Sequence, residues 1–169
     1  MKKFKFCPFC AGVLKPKALE GRDRLVCEKC GWINYLNPLP VVSCLVSGPG
    51  GELLLIKRGI EPSKGAWALP GGFFEIEESP EEAGRRELKE ETGLDGTAVR
   101  QVGVITHFSS MYGYLLMIGI EYKVENYKVV AGDDAEEAGF FPKDKLPEIP
   151  FKSHLDLISS FWSFRAQKK

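Results

Sequence analysis

Five charged side chains within fourteen residues carry the chemistry of this chain: Glu78, then Arg86, Glu87, Glu90 and Glu91. Ser79 is a good N-cap, Pro80 suits the first helical position and Glu82 stands where a capping box needs it, so the spacing predicts a helix starting at Pro80. Gly93 is suited to the left-handed residue that closes it. At about 100° per residue, Glu87, Glu90 and Glu91 fall within roughly a 100° arc, which makes one anionic wall. A solvated surface helix would account for Glu81 with Arg85, Glu82 with Arg86 and Arg86 with Glu90, all i,i+4 pairs. It does not account for three like charges at i,i+3 and i,i+4, which repel unless a cation joins them. Hard carboxylate oxygens select Mg²⁺ or Mn²⁺, and such an ion grips phosphate oxygens and acidifies a water. The chemistry implied is attack of water on phosphorus.

A second constellation is Cys7-Pro8-Phe9-Cys10, sixteen residues, then Cys27-Glu28-Lys29-Cys30. This is the spacing of a tetrathiolate zinc site, and four sulfurs close the metal's shell, so the Zn²⁺ is structural. Gly12 and Gly31 follow the two pairs as tight knuckle turns require. Two disulfides or a redox CxxC are the alternatives; Met1-Lys2-Lys3 runs to the first cysteine pair with no apolar leader segment, which points to the cytoplasm rather than to secretion. Cys44 lies in the apolar run Pro40 to Val46 and reads as a small core residue.

The stretch Gly72, five residues, Glu78, seven residues, then Arg86-Glu87-Leu88-Lys89-Glu90-Glu91-Thr92-Gly93-Leu94 resembles the Nudix box, Gx5Ex7REUxEExGU with U aliphatic, at every specified position. With the cysteine pairs it resembles the zinc-ribbon Nudix hydrolases, a group that includes ADP-ribose, FAD and NADH pyrophosphatases. The resemblance implies an α/β fold, an α/β/α sandwich around a mixed sheet behind a small zinc ribbon. It implies a Mg²⁺-dependent pyrophosphohydrolase that cleaves nucleoside diphosphate derivatives, ADP-ribose or FAD above others. By the same resemblance Glu87, Glu90 and Glu91 bind the metal, Glu78 and Arg86 form an ion pair that orients loop against helix, and Glu137 in the segment Asp133 to Phe141 is the general base, with Glu136 second. Arg58 is placed to reach a phosphate, Gly71 and Gly72 to bring backbone close to phosphate or metal, and Phe74 and Tyr112 to stack on a base. His107, Phe108 and Tyr114 are further stacking candidates. The SQPWPFPxS segment of NADH pyrophosphatases is missing between Asp95 and Val124. The rival reading is a nucleotide sensor or an RNA-directed, decapping-like protein, with capped RNA as its nucleic-acid partner. A homodimer is the expected assembly if a second subunit completes the specificity loops.

These residues must be held by a core, and 169 residues with 44% hydrophobic content suffice for one domain of ordinary size plus a metal-stapled module. No apolar run approaches a bilayer span. Net charge is zero, yet residues 1–30 hold eight cations against three acids, so the ribbon is mildly basic. The expected organisation is a ribbon over 1–33, the Nudix-like domain over 38–150 and a helix over 151–169 packed upon it. Val41 to Val46 and Glu52 to Lys57 read as a hairpin across Ser47 to Gly51, and Val99 to Thr106 and Tyr114 to Val124 as strands. Asp133 to Glu148 reads as an acidic loop. Leu155, Ile158 and Trp162 form the expected apolar face of the closing helix. Gly84 inside the box helix predicts close packing against another element.

Overall fold

The computed structural model describes residues 4–166 and divides the chain into two compact units, Met1–Pro38 and Leu39–Lys169. In the first, β1 (Leu14–Leu19) and β2 (Arg22–Cys27) form an antiparallel hairpin, and β3 (Ile33–Asn34) pairs with β2. The two residues between β1 and β2, Glu20 and Gly21, both have positive φ, as the tightest hairpin loops require. Cys7, Leu14 and Cys27 are buried with Cys10, Leu25 and Trp32 against them, so the metal-ligand candidates are also this unit's core.

The second unit holds β4 (Leu39–Val46), β5 (Leu53–Arg58), β6 (Trp67–Ala68), α1 (Pro80–Thr92), β7 (Gly96–Ser109), β8 (Gly113–Val124), β9 (Ala135–Phe141) and α2 (Lys152–Ala166). One sheet runs β4-β8-β7, with β4 parallel and β7 antiparallel to β8; the other runs β6-β5-β9, antiparallel throughout. Val41 to Val46 are all buried, and alternation along the strand sends their side chains to two cores. Val41 and Leu45 join Leu157, Ile158 and Phe161 of α2, whereas Val42, Cys44 and Val46 join Ala83 and Leu88 of α1. Helices therefore cover both faces of a mixed sheet, an α/β sandwich.

Three expectations are corrected. Residues 41–46 and 52–57 are not a paired hairpin: β4 and β5 lie in different sheets and meet at the bridge Ser47 to Leu53, because β8 takes one edge of β4 and residues 70–73 take the other. Residues 135–141 are a strand rather than acidic loop, since Ala135, Ala138, Phe140 and Phe141 give it apolar surface to pack. On α2 the buried face is Leu157, Ile158 and Phe161, while Leu155 is exposed. No helix among the described residues is long and apolar enough to cross a membrane.

The remaining edge of β4 positions the site. Val42 N donates to Gly72 O at 2.9 Å, Cys44 N donates to Pro70 O at 2.7 Å, and Val41 bridges Phe73, so residues 70–73 run tight along β4. A Cβ on Gly71, whose φ is +143°, would collide with the Val42 carbonyl oxygen. Gly84 is equally constrained: a Cβ there would overlap the Tyr122 hydroxyl, which donates to Glu81 O at 2.9 Å and ties α1 to β8.

Candidate active site

Helix α1 begins and ends as its sequence predicts. Ser79 Oγ accepts from Glu82 N, the Glu82 carboxylate accepts from Ser79 N, and Gly93 closes the helix at φ 70°. With Glu82 in the capping box, Arg86 turns instead to Glu78 in a bidentate pair, Nε to Oε1 at 2.7 Å and Nη2 to Oε2 at 2.9 Å. Of the three expected i,i+4 pairs only Arg86 with Glu90 forms, at 3.2 Å; Arg85 pairs with Asp95. Arg86 Nη1 also holds Glu87 at 2.7 Å and Nη2 donates to Phe73 O at 2.9 Å. One guanidinium thus pins the loop, Glu78 and two members of the acidic wall. Its hydrogen bonds and charge hold the Glu78 carboxyl down to about 2.

The third member faces inward. Glu91 is 3% exposed, and its Oε2 accepts from Gly71 N at 2.7 Å. Burial, with repulsion from Glu87 and Asp134, pushes its carboxyl up to about 8 despite that hydrogen bond and the field of Arg58. Glu87 is likewise raised, first by burial and then by Glu90 and Asp133, with Arg86 opposing. A Cβ on Gly72 would sit 2.5 Å from Glu87 Oε1, so a side chain there would push the Glu87 carboxylate aside.

Glu87, Glu90 and Glu91 line a cleft of about 390 Å³ together with Arg86, Gly71 and Gly72. Arg58 reaches it from the end of β5, where its Nε donates to Pro62 O at 3.0 Å. Tyr112 lines it too, packed edge to face on Phe73 with centroids 5.0 Å apart, and so does His107. Phe74 does not: it packs against the core beneath α1, and its neighbour Phe73 is the aromatic that faces the cleft. Phe108 and Tyr114, register partners across the β7/β8 hairpin, pack on each other at 5.3 Å and stay exposed. Glu137 is not brought to the cleft. It is paired with Lys57 at 2.6 Å, its register partner on β5, and Glu136 is paired with Lys64 at 3.1 Å. The acidic segment reaches the cleft through Asp133 and Asp134, just before β9 begins. Sequence reasoning also passed over Ser153 and His154 in the first turn of α2, which line the same cleft. Only the absence of acidic residues from that turn could have hinted at them.

Residues 37–158 match the NUDIX domain family and residues 5–36 match its N-terminal zinc ribbon, described as Nudix N-terminal. The chain belongs to the Nudix family. It is 39% identical over 139 residues to the ADP-ribose pyrophosphatase of Methanocaldococcus jannaschii, a match covering 78% of this chain and 77% of that one. It is 26% identical over 156 residues to the NAD-capped RNA hydrolase NudC of Stutzerimonas stutzeri, covering 92% of this chain and 54% of that protein. Among solved structures, a NUDIX hydrolase from Nitrosomonas europaea superposes with a TM-score of 0.82 at 27% identity, covering 97% of this chain and 93% of its own. The chain is accordingly a Nudix pyrophosphohydrolase carrying a zinc ribbon.

Of the two metal sites of a zinc-ribbon Nudix hydrolase, the cysteines are gathered as a ligand set, whereas Glu87 and Glu90 are held by Arg86 and Glu91 by the Gly71 N–H. Cys7, Cys10, Cys27 and Cys30 bring their sulfurs within 4.8 Å of one another, and all five cysteines of the chain are free of disulfides. The backbone N–H of Cys30 draws the Cys27 thiol down to about 7, while the Cys30 thiol, despite a backbone hydrogen bond from Trp32, is pushed up by Cys10, burial and the other sulfurs, so the negative charge is shared unevenly across the set. At the box, the negative form of half-buried Glu87 is disfavoured by burial and by Glu90 and Asp133, and that of buried Glu91 by burial and by Glu87 and Asp134; a hard divalent cation is a partner that would offset both penalties.

Proposed function

We propose that this Nudix hydrolase is a Mg²⁺-dependent ADP-ribose pyrophosphatase, releasing AMP and ribose 5-phosphate. The observation that carries the reaction is the Arg86-braced wall of Glu87, Glu90 and Glu91 along a cleft sized for a small ligand. ADP-ribose as substrate is supported by the likeness to the archaeal ADP-ribose pyrophosphatase, which spans most of both chains. The four cysteines holding zinc in thiolate form suit a reducing compartment, the cytoplasm.

In this reading a divalent cation held by Glu87, Glu90 and Glu91 supplies charge for the diphosphate and acidifies the attacking water. Arg86, committed to Glu78, Glu87 and Glu90, keeps the helix and the 71–73 loop in register and does not itself leave for the substrate. Arg58 is the cation free to turn one face of its guanidinium to a phosphate. Phe73 and Tyr112 offer ring faces to a base. Glu137, paired with Lys57 away from the cleft lining, is not assigned the base in this reading.

A second reading, hydrolysis of NAD-capped RNA, is favoured by one observation: the NudC relative aligns across ribbon and Nudix domain together, although the chain spans only about half of it. The test is hydrolysis of ADP-ribose, FAD, NADH, nucleoside triphosphates and NAD-capped RNA with Mg²⁺, with products identified by mass spectrometry. Strong preference for ADP-ribose, giving AMP and ribose 5-phosphate, is expected. Preference for the capped RNA would replace the first reading with the second.

A further inference from the structure

The first unit gathers its positive charge on one face of its sheet. Leu14 pairs with Cys27 and Leu25 with Asn34, and this set faces the core that the cysteines share. Alternation along the strands sends the intervening residues to the opposite face, where they lie in cross-strand rows: Lys15 beside Val26 beside Ile33, Lys17 beside Arg24, and Leu19 beside Arg22. Tyr35, one residue beyond β3, extends the second row, with the Arg24 guanidinium 4.5 Å from its ring centroid. The outer face thus holds cations, one aromatic ring and aliphatic side chains, and none of its rows contains an acid. Lys15, Lys17, Arg22 and Tyr35 are exposed.

On a merely solvated face, opposite charges across neighbouring strands stabilise and like charges directly opposite each other cost stability. Lys17 and Arg24 are a like-charged pair of that kind. Acids answer this face only from the ends of the strands: Glu28, just past β2, reaches Lys15 at 2.8 Å, and Glu20, in the turn between β1 and β2, reaches Arg24 at 3.4 Å. Lys17 and Arg22 form no ion pair among the described residues, and Arg24 Nε is buried with no hydrogen-bond partner among them. Over residues 1–30, eight cations against three acids, less two for four thiolates on one Zn²⁺, leave an excess of three positive charges in a chain that is neutral as a whole. The face is complementary to a polyanion.

We infer that the outer face of the β1-β2-β3 sheet is a binding surface for single-stranded RNA. None of its residues lines the cleft, and the surface stands independently of the pyrophosphatase reading. Phosphodiesters supply the anions that Lys17, Arg22 and Arg24 lack, and relieve the repulsion between the first and last of them. Tyr35 and the guanidinium packed on it make a platform for an unstacked base, a group that an anionic lipid or an acidic peptide does not offer. A duplex keeps its bases stacked on one another, whereas loops and ends with free bases are the ordinary condition of RNA. Contacts to backbone and ring carry no base code, so the surface accepts any unpaired sequence.

The test uses the full-length, zinc-loaded protein and a fluorescein-labelled oligouridine of about twelve nucleotides, read by anisotropy between about 50 and 200 mM salt. Binding is expected, with log K falling against log salt at a slope of about −1.4 to −2.8 for two to four phosphate contacts. Lys17→Glu with Arg22→Glu should weaken it at least about tenfold at the lower salt and flatten the slope by about 1.4. Tyr35→Ala should weaken it about fivefold or more, and Tyr35→Phe, which keeps the ring, should stay within about twofold of wild type. These variants should retain zinc by native mass spectrometry and hydrolyse ADP-ribose as wild type does. Should the double reversal lose zinc, Lys17→Gln with Arg22→Gln carries the same comparison. No binding at the lower salt, undiminished binding by the Lys17 and Arg22 variant, or indifference to loss of the Tyr35 ring would overturn the surface. So would tighter binding of an RNA duplex or an oligothymidine of the same length, or binding of phosphatidylserine vesicles in place of the oligouridine. Protein that binds the oligouridine as expected but cleaves no ADP-ribose sinks the pyrophosphatase reading and leaves the surface standing.

Discussion

Replacing Glu91 by glutamine should make the metal-free protein more stable and the enzyme inactive. Glu91 is almost fully buried, and burial first, then Glu87 and Asp134, raises its carboxyl from the ordinary 4.5 to about 8. Glutamine keeps an oxygen for the Gly71 N–H and removes the charge. At pH 7 the unfolded chain has released the Glu91 proton and the folded chain still holds it, a difference worth about 3 kcal/mol against folding. The sign follows from the upward shift: this group's contribution is fully present below about pH 4.5 and is lost as pH rises toward 8. Differential scanning calorimetry in chelator-treated buffer should therefore show wild type losing stability between pH 5 and pH 8 more steeply than Glu91→Gln, and the variant melting ~5–10 °C higher at pH 7. Added Mg²⁺ should raise the wild-type midpoint and leave the variant's where it was, because the ion binds the carboxylate form. Mg²⁺-dependent hydrolysis by the variant should vanish. A variant that melts lower than wild type without metal, or one that hydrolyses ADP-ribose at the wild-type rate, would refute the reasoning.

Gly84→Ala should destabilise by about 1–3 kcal/mol because the new methyl meets the Tyr122 hydroxyl, and Tyr122→Phe in the same chain should return part of that loss, a coupling of at least ~0.5 kcal/mol in a denaturation cycle. Cys30→Ser should abolish stoichiometric zinc, read by native mass spectrometry, while the isolated change leaves box chemistry measurable in the Mg²⁺ assay. Glu137→Ala should change kcat by no more than about twofold, since it breaks a surface pair with Lys57; a loss of several orders of magnitude would restore it as the base. Gly71→Ala should lower both stability and activity, as the residue must leave its φ of +143° and withdraw the N–H that Glu91 accepts.

What the sequence showed of this site divides by distance along the chain. The capping box, the Gly93 closure and the gathering of Glu87, Glu90 and Glu91 are set within single helical turns, so residue types and spacing suffice to read them. The Glu78–Arg86 pair was legible through the family resemblance. The Arg85 partner was not, because Asp95, ten residues on and past the helix end, competes with Glu81. Glu137 lies away from the cleft for a related reason: β9 carries Glu136 and Glu137 to Lys64 and Lys57, partners distant in sequence, and leaves Asp133 and Asp134, just before the strand, at the cleft. Phe73 and Phe74 are the same case at one residue's remove, since the turn at Gly71 and Gly72 and the bridge to Val41 settle which ring turns inward.

The box names a reaction and leaves the substrate to other parts of the chain for the same reason. The carboxylates come from one helix, so their mutual geometry is a local property and survives in any sequence that keeps the spacing. Ser153 and His154, which line the same cleft, come from α2, and His154 is fixed by Leu69, eighty-five positions away. Nothing in the residues around Ser153 predicts that its hydroxyl will be buried without a partner; that follows from α2 packing Leu157, Ile158 and Phe161 against β4 and β8. A change at Leu157 that shifts α2 should therefore disturb the cleft lining at His154 before it disturbs the carboxylates of α1. A Cβ on Gly119 would lie 2.6 Å from Leu157 Cδ2, so Gly119→Ala must displace that buried side chain or the helix that carries it. It should raise KM for ADP-ribose more than it lowers kcat. A fall in kcat with KM unchanged would show that the α1 wall, and not α2, feels the displacement.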